Sequence, residues 1–264
     1  MLIGFGLPVS GSWATPDAIV HVARLAEELG YASLWTFQRV LGDESVLDPL
    51  VVLAHVAGHT HRIRLGTATI CAPFIAPAVL AKSLSSLDVL SSGRLDVGLG
   101  LGWKREEYAA AGVPFERRGA RMDEYLRCLH ALWTQDPVEF AGEFYTVPRS
   151  RQLPRPVQRP HPPILLGGAA APALRRAGRL AQGWIASSKH ALRDLPSAID
   201  IVRAAAHQAP RIVVRRTHLD DVAALEALGV TEVILDLNFT PGMDVEHAER
   251  VLDAHAPRRL PPSA

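Results

Sequence analysis

The sequence predicts a closed (β/α)8 barrel, and three observations carry that prediction. Eight short apolar runs alternate strictly with eight helical connections, which implies a parallel sheet with right-handed crossovers. Eight such units fit a closed barrel better than an open doubly wound sheet, which more often has about five or six strands. The 264 residues also leave about 33 per unit, near the usual length of a βα unit.

Leu2–Pro8 reads as the first strand. Thr15-Pro16-Asp17 opens a helix: Thr15 caps it, Pro16 suits the first turn and Asp17 complements the helix dipole. Its apolar stripe is Ile19, Val22, Ala23, Leu25, Ala26 and Leu29, and Gly30 stops it. Tyr31–Phe37 is the second strand, and Asp48-Pro49 opens a helix ending near Gly58. Arg62–Ile70 is the third strand, Ala76–Leu90 a helix closed by Ser91-Ser92-Gly93, and Arg94–Leu101 the fourth strand. Helical pieces follow at Lys104–Ala111 and Gly119–Trp133. The stretch 137–163 breaks the rhythm, with prolines at 137, 148, 154, 156, 160 and 162 before Pro163. It holds one β-like piece, Glu139–Tyr145, and is expected as an excursion outside the core. Ile164–Leu166 resumes as the fifth strand, ended by Gly167-Gly168. Then come the helix Pro172–Ala181, the strand Gly183–Ala186, the helix Ala191–His207 and the strand Arg211–Arg215. The helix Asp220–Leu228, the strand Thr231–Leu237 and the helix Val245–Ala254 complete the series. The expectation is one barrel over residues 1–256 and a frayed tail, Pro257–Ala264.

Composition narrows the function classes. Hydrophobic residues at 48% and charged residues at 21% exclude a disordered chain. The 28 basic and 27 acidic residues leave a net charge of +1, so no whole-molecule basic field serves nucleic acid or an anionic membrane. Two cysteines, Cys71 and Cys128, exclude a disulfide scaffold and a cysteine-based zinc site. The N-terminus lacks a basic n-region, and no apolar run reaches about 18 residues. A cytoplasmic protein is therefore expected.

In a barrel, chemistry sits at the C-terminal ends of the strands, and that rule filters the motifs. Gly98-Leu99-Gly100-Leu101-Gly102-Trp103 closes the fourth strand and leads into a helix. Glycines there let a ligand approach the backbone, and a helix N-terminus favours an anion. The competing reading is a set of tight turns, and the two weigh about equally. The spacing is not that of a dinucleotide fingerprint. Gly167-Gly168 ends the fifth strand and offers amides to an anion, with an ordinary turn as the alternative. Strand three ends in small and hydroxylated residues, Gly66-Thr67-Ala68-Thr69-Ile70-Cys71, which suit a flat ligand or plain barrel packing. Gln38 and Arg39 follow strand two and project toward the mouth, or form an exposed surface pair. His55, His59 and His61 have metal-ligand spacing, but His59 and His61 precede strand three and so fall on the opposite face. A metal site is not expected. No Gly-x-Ser-x-Gly elbow or P-loop is present, and Cys128 sits in a helical stripe as a core thiol.

Four segments join these motifs: Leu25–Arg39, His61–Trp103, Glu106–Trp133 and Arg155–Ile185. In order and spacing they resemble the bacterial luciferase-like monooxygenase family, in particular its deazaflavin (coenzyme F420) dependent oxidoreductase branch. The resemblance implies a barrel with a flavin-like ring across its mouth. It also implies a non-prolyl cis peptide near Ala68–Thr69 that bulges against the ring, with Cys71 beside it. The coenzyme's phosphate tail is implied at Gly98, Gly100, Gly102, Trp103 and the amides of Gly167 and Gly168. A homodimer is implied too; Ala76–Leu90 offers an interface, although barrel packing accounts for the same residues. The segment between Trp184 and Thr231 is shorter than in many relatives, which implies a more open pocket.

Two departures from the family pattern shape the expected chemistry. Sugar-phosphate dehydrogenases of the branch carry Asp-His after strand two, where this chain has Gln38 and Arg39. They carry Glu after the third glycine of strand four, where this chain has Trp103. Sugar-phosphate oxidation is therefore not expected. Gln38, Arg39 and Trp103 are the expected substrate- or coenzyme-facing residues, with Arg39 holding a substrate oxygen or developing negative charge. The implied function is hydride transfer between F420 and a small organic substrate. The alternatives are an FMN-dependent monooxygenase of the same fold and a coenzyme-binding homologue without turnover.

Overall fold

The computed structural model describes residues 1–219 and 221–257. Along the chain, β1 (Leu2–Gly6) leads to α1 (Pro16–Glu28), β2 (Ser33–Thr36) and α2 (Pro49–Ala57). Then come β3 (Arg64–Thr67), its continuation β4 (Ile70–Cys71), α3 (Pro77–Leu90) and β5 (Leu95–Gly100). Two helices follow, α4 (Arg105–Ala110) and α5 (Arg118–Thr134), and then the strands β6 (Val138–Ala141) and β7 (Thr146–Ser150). The series closes with β8 (Ile164–Gly167), α6 (Ala171–Leu180), β9 (Gly183–Ala186), α7 (Leu195–Ala205), β10 (Arg211–Arg216), α8 (Val222–Ala227), β11 (Glu232–Leu235) and α9 (Val245–Ala254).

The parallel pairings run β3–β2–β1–β11–β10–β9–β8–β5, and a β3–β5 pairing returns the last strand to the first. The sheet is therefore a closed eight-stranded barrel, as expected. Local signals start its helices as the sequence indicates. Thr15 Oγ1 accepts from Ala18 N at 3.3 Å, and Asp48 Oδ1 accepts from Leu50 N and Val51 N at 2.9 and 3.1 Å. No helix among the described residues is long and apolar enough to cross a membrane.

The structure redraws several predicted elements. Strand three does not run unbroken to Ile70: pairing stops at Thr67, a cis peptide joins Ala68 and Thr69, and β4 resumes at Ile70. The first strand ends at Gly6 rather than Pro8, because proline has no amide to give a neighbour. The β-like piece Glu139–Tyr145 is the middle of an antiparallel hairpin, β6 with β7. Its turn folds onto the buried Glu124 carboxylate, which accepts from the amides of Glu143, Phe144 and Tyr145 at 2.7–2.8 Å. The helix foreseen at Ala191–His207 divides into a 3-10 turn, Leu192–Asp194, and α7, where Pro196 suits the first turn. Asp220 and the tail beyond Pro257, assigned above to a helix start and a frayed end, lie outside the described residues.

Two cores result. The larger packs the helices on the outside of the sheet. The smaller fills the barrel with Trp35, Ala68, Leu165, Ile185, Val213 and Ile234. Gly66 is required beside it, because a Cβ there would run into the Trp35 indole. Below this plug lies a buried ion network. The Asp96 carboxylate, fully buried, accepts from Arg64 Nε and Nη2 at 2.9 and 2.8 Å and from Arg211 Nη1 at 2.9 Å. Arg211 Nη2 also donates to Glu232 at 3.0 Å, and Glu232 accepts from Trp35 Nε1 at 3.0 Å and from the Ser33 hydroxyl. The network closes the N-terminal end of the barrel and leaves the C-terminal end as the mouth.

Candidate active site

The segment Ala68–Thr69 crosses the mouth, and protein groups hold it on several sides. Ala68 N donates to Thr36 O at 2.6 Å, and Gln38 N donates to Thr69 O at 3.2 Å. Ala68 O accepts from Arg215 Nη1 at 3.0 Å. Gln38 Oε1 accepts from Cys71 N at 2.9 Å. Gln38 thus braces β4 through its oxygen and keeps both amide hydrogens for a ligand.

Glycines make the platform around this segment possible. A Cβ on Gly100 would stand 2.6 Å from Thr69 Oγ1, and one on Gly167 would stand 3.1 Å from Thr69 Cγ2. Thr69 therefore packs directly on the backbones of β5 and β8. Gly98 is tighter still: its N and O both bond the Thr67 hydroxyl, at 2.9 and 2.8 Å, and a Cβ would collide with Thr67 O. On the other wall, a Cβ on Gly6 would come within 2.8 Å of Asp236 Oδ1. Gly102 takes φ +72° and fits against Cys71 Sγ and Phe74, each 3.2 Å from a Cβ built there.

Beneath the platform stands a buried pair that the sequence did not single out. Arg215 Nη2 donates to the Asp236 carboxylate, whose other oxygen accepts from Asn238 N and Nδ2 at 3.1 and 2.8 Å. The Arg215 guanidinium lies 5.3 Å from the Phe37 ring centroid. Its Nε is buried without a hydrogen-bond partner among the described residues. The only sequence signal was the position of Arg215 at the end of a barrel strand; which way it points follows from packing.

Arg39 and Trp103 stand at the rim. Arg39 Nη1 pairs with Glu44 at 3.0 Å, and its guanidinium lies 5.7 Å from the Phe239 ring, which packs on Phe37 at 5.2 Å. Trp103 is 72% exposed, too open to wall a buried pocket. Lys104 links the two loops: its Nζ lies 5.6 Å from the Trp103 ring and donates to Leu41 O at 3.1 Å. The buried Glu107 carboxylate accepts from Val40 N and Leu41 N at 3.0 and 3.1 Å. Helix α4 thereby fixes the loop that carries Arg39.

The two glycine loops differ as anion sites. Glu106 and Glu107 fill the first turn of α4 and already complement its dipole. Helix α6 has no acid in its first turn and no side-chain cap. Gly168, at φ +128°, precedes it, and Gly168 O accepts from Trp184 Nε1 at 2.8 Å. The start of α6 is the better place for an anionic tail.

Burial, with a smaller contribution from Glu107, pushes the Cys71 thiol up to about 12. Cys71 therefore stays protonated and inert at neutral pH. Alkylation of Cys71 by iodoacetamide at pH 8 is expected to run about a thousandfold slower than that of free cysteine, as the thiolate fraction falls by that factor. A mass-spectrometric time course checks this; modification at the free-cysteine rate contradicts it.

The family model of luciferase-like monooxygenases matches residues 3–229. The chain belongs to that family. An uncharacterized protein of Mycobacterium tuberculosis is 36% identical over 263 residues, covering 90% of this chain and 92% of that one. The FMNH2-dependent dimethylsulfone monooxygenase of Pseudomonas putida is 29% identical over 191 residues, covering 70% of this chain and 52% of that one. The coenzyme F420 dependent tetrahydromethanopterin reductase of Methanopyrus kandleri has the same fold, with a TM-score of 0.78 at 17% identity, covering 97% of this chain and 99% of that one. This luciferase-like chain is thus an oxidoreductase of that family, similar in sequence to an FMNH2-dependent monooxygenase and in fold to an F420-dependent reductase.

The mouth fits a flavin-type ring. Gly6, Gly100 and Gly167 let Asp236 and Thr69 pack directly on the strand backbones around it. Arg215 Nε, buried and unpartnered among the described residues, is a donor that a ring carbonyl or nitrogen could take up.

Proposed function

We propose that this luciferase-like protein transfers a hydride between coenzyme F420 and a small organic substrate. The observation that carries the reading is the glycine-floored platform around Ala68–Thr69, with the Arg215–Asp236 pair beneath it. Bound there, the deazaflavin would supply a hydride donor or acceptor at C5. Thr69 and Ala68 would back the ring, and the amides of Gly168 to Ala171 would hold the anionic tail. Arg215 fixes the platform through Ala68 O and brings a positive charge beneath it. Arg39 holds a substrate oxygen at the rim, while Glu107 keeps its loop in place.

The second reading, an FMN-dependent monooxygenase, is favoured by the FMNH2-dependent relative of Pseudomonas putida. Oxygen chemistry on a reduced flavin needs a water-excluding lid. Between β9 and β10 this chain has only a 3-10 turn and α7, which supports F420 over FMN.

Anaerobic titration of the protein with each coenzyme, followed by tryptophan fluorescence, tests the choice. Micromolar binding of F420 is the expected result; micromolar binding of FMN with none of F420 overturns it. Arg39→Ala is expected to raise KM by about 10- to 100-fold, the worth of one charge-assisted hydrogen bond, with coenzyme affinity unchanged. Equal loss of coenzyme affinity would move Arg39 from substrate to coenzyme.

A further inference from the structure

A groove of about 560 Å³ lies at the opposite end of the barrel from the mouth. It runs between α5, the C-terminal end of α6 and the loops that lead into β8 and β10. Its volume is within the usual range for small-molecule sites. Arg127, His130, His161, Arg179, Gln182 and His207 line it. No carboxylate is among its lining residues.

Several of these groups are left with capacity to spare. Arg127 makes no ion pair among the described residues. Arg179 stands 3.5 Å from Asp123, whose carboxylate is also engaged by Arg176, so Arg179 is loosely held. Gln182 Oε1 accepts from Ile164 N at 2.8 Å, which leaves both its amide hydrogens.

His161 is the fixed element of the groove. Its ring is buried, stacked on Trp133 at 5.4 Å and 27°, and set edge-on to His130 at 5.3 Å. Nδ1 lies 2.8 Å from Pro162 O, and a carbonyl only accepts, so Nδ1 carries the proton. Nε2 is then the free ring nitrogen and an acceptor. Burial, with a smaller contribution from His130, holds the ring below the usual histidine range and so neutral at pH 7.

One guanidinium with no acid partner among the described residues, a second held only at 3.5 Å by Asp123, an amide donor and a fixed acceptor describe a partly protonated, multiply charged anion. We propose that the groove binds a small phosphorylated molecule. Arg127 and Arg179 neutralise its charge, Gln182 donates to a phosphate oxygen, and His161 Nε2 accepts from a phosphate hydroxyl. The site is independent of the coenzyme chemistry at the mouth.

The probe is inorganic pyrophosphate added to the full chain, followed by the histidine Cε1–H NMR signals. Single His→Gln variants assign His130, His161, His207 and the mouth-side His190. Saturable movement of the first three, with His190 unmoved, is expected. Arg127→Ala with Arg179→Ala, both on exposed helix surface, is expected to weaken that binding at least tenfold while leaving the thermal midpoint unchanged. Movement of His190 alone would place the anion at the mouth and overturn the proposal. Non-saturating shifts, or binding unaffected by the double substitution, would also overturn it.

Discussion

Asp96→Ala is expected to cost this protein about 3 kcal/mol of folding free energy, the low end of the range for breaking a buried ion pair. Asp96 is the single carboxylate that Arg64 and Arg211 share, and its removal leaves two guanidinium groups facing each other. Both are about a third exposed, so water recovers part of the loss. Arg211 would keep only Glu232, the residue that also holds Trp35 in the barrel. At about 2–4 °C per kcal/mol for a chain near this size, the thermal midpoint should fall by about 6–12 °C. Calorimetry of the two proteins measures it; a midpoint within about 2 °C of the parent would show that the network contributes little.

Gly98→Ala should act at the other end of the barrel and on function as well as stability. The new methyl group would occupy the space of Thr67 O and approach Ile185 Cδ1 to 2.8 Å. Since β3 and β5 close the barrel at this point, the chain can accommodate the methyl only by parting them. That breaks both bonds of the Thr67 hydroxyl to Gly98. Overpacking of this kind costs about 1–3 kcal/mol, and a collision with backbone belongs at the top of that range. The platform at Ala68–Thr69 should lose its shape, and coenzyme affinity should fall with the thermal midpoint. Thr67→Val separates the two effects, because it removes the hydroxyl bonds without adding a clash. It should lower the midpoint by less than Gly98→Ala does. Parent-like stability and coenzyme affinity in Gly98→Ala would contradict this description of the platform.

The barrel was legible because its signals are local. Thr15-Pro16 and Asp48-Pro49 announce helix starts, and glycines such as Gly30 and Gly229 announce turns. The Ala68–Thr69 peptide was placed by the family resemblance, through the Gly-Thr that precedes it, and not by propensity. What stayed hidden depends on direction and distance. Arg215 lies in the run Arg-Ile-Val-Val-Arg-Arg, and only the packing of β10 shows that its guanidinium turns under Ala68. Asp236 and Asn238 support it from a strand that pairs beside β10. Gln38 was read as a ligand-facing group because it follows β2; its bond to Cys71 N appears only once β4 is placed. Glu107 was invisible as a brace for Arg39, since 67 residues of sequence separate it from the Val40 amide it accepts from. The hairpin of β6 and β7 escaped notice because its turn is nested on Glu124, a residue of α5.

A crystal structure of the protein with F420 bound tests the proposed function most directly. The proposal predicts the deazaflavin ring lying on Ala68–Thr69, a ring acceptor facing Arg215, and the anionic tail at Gly168 and the start of α6. A ring bound away from Ala68–Thr69, or a tail that avoids α6, would contradict it.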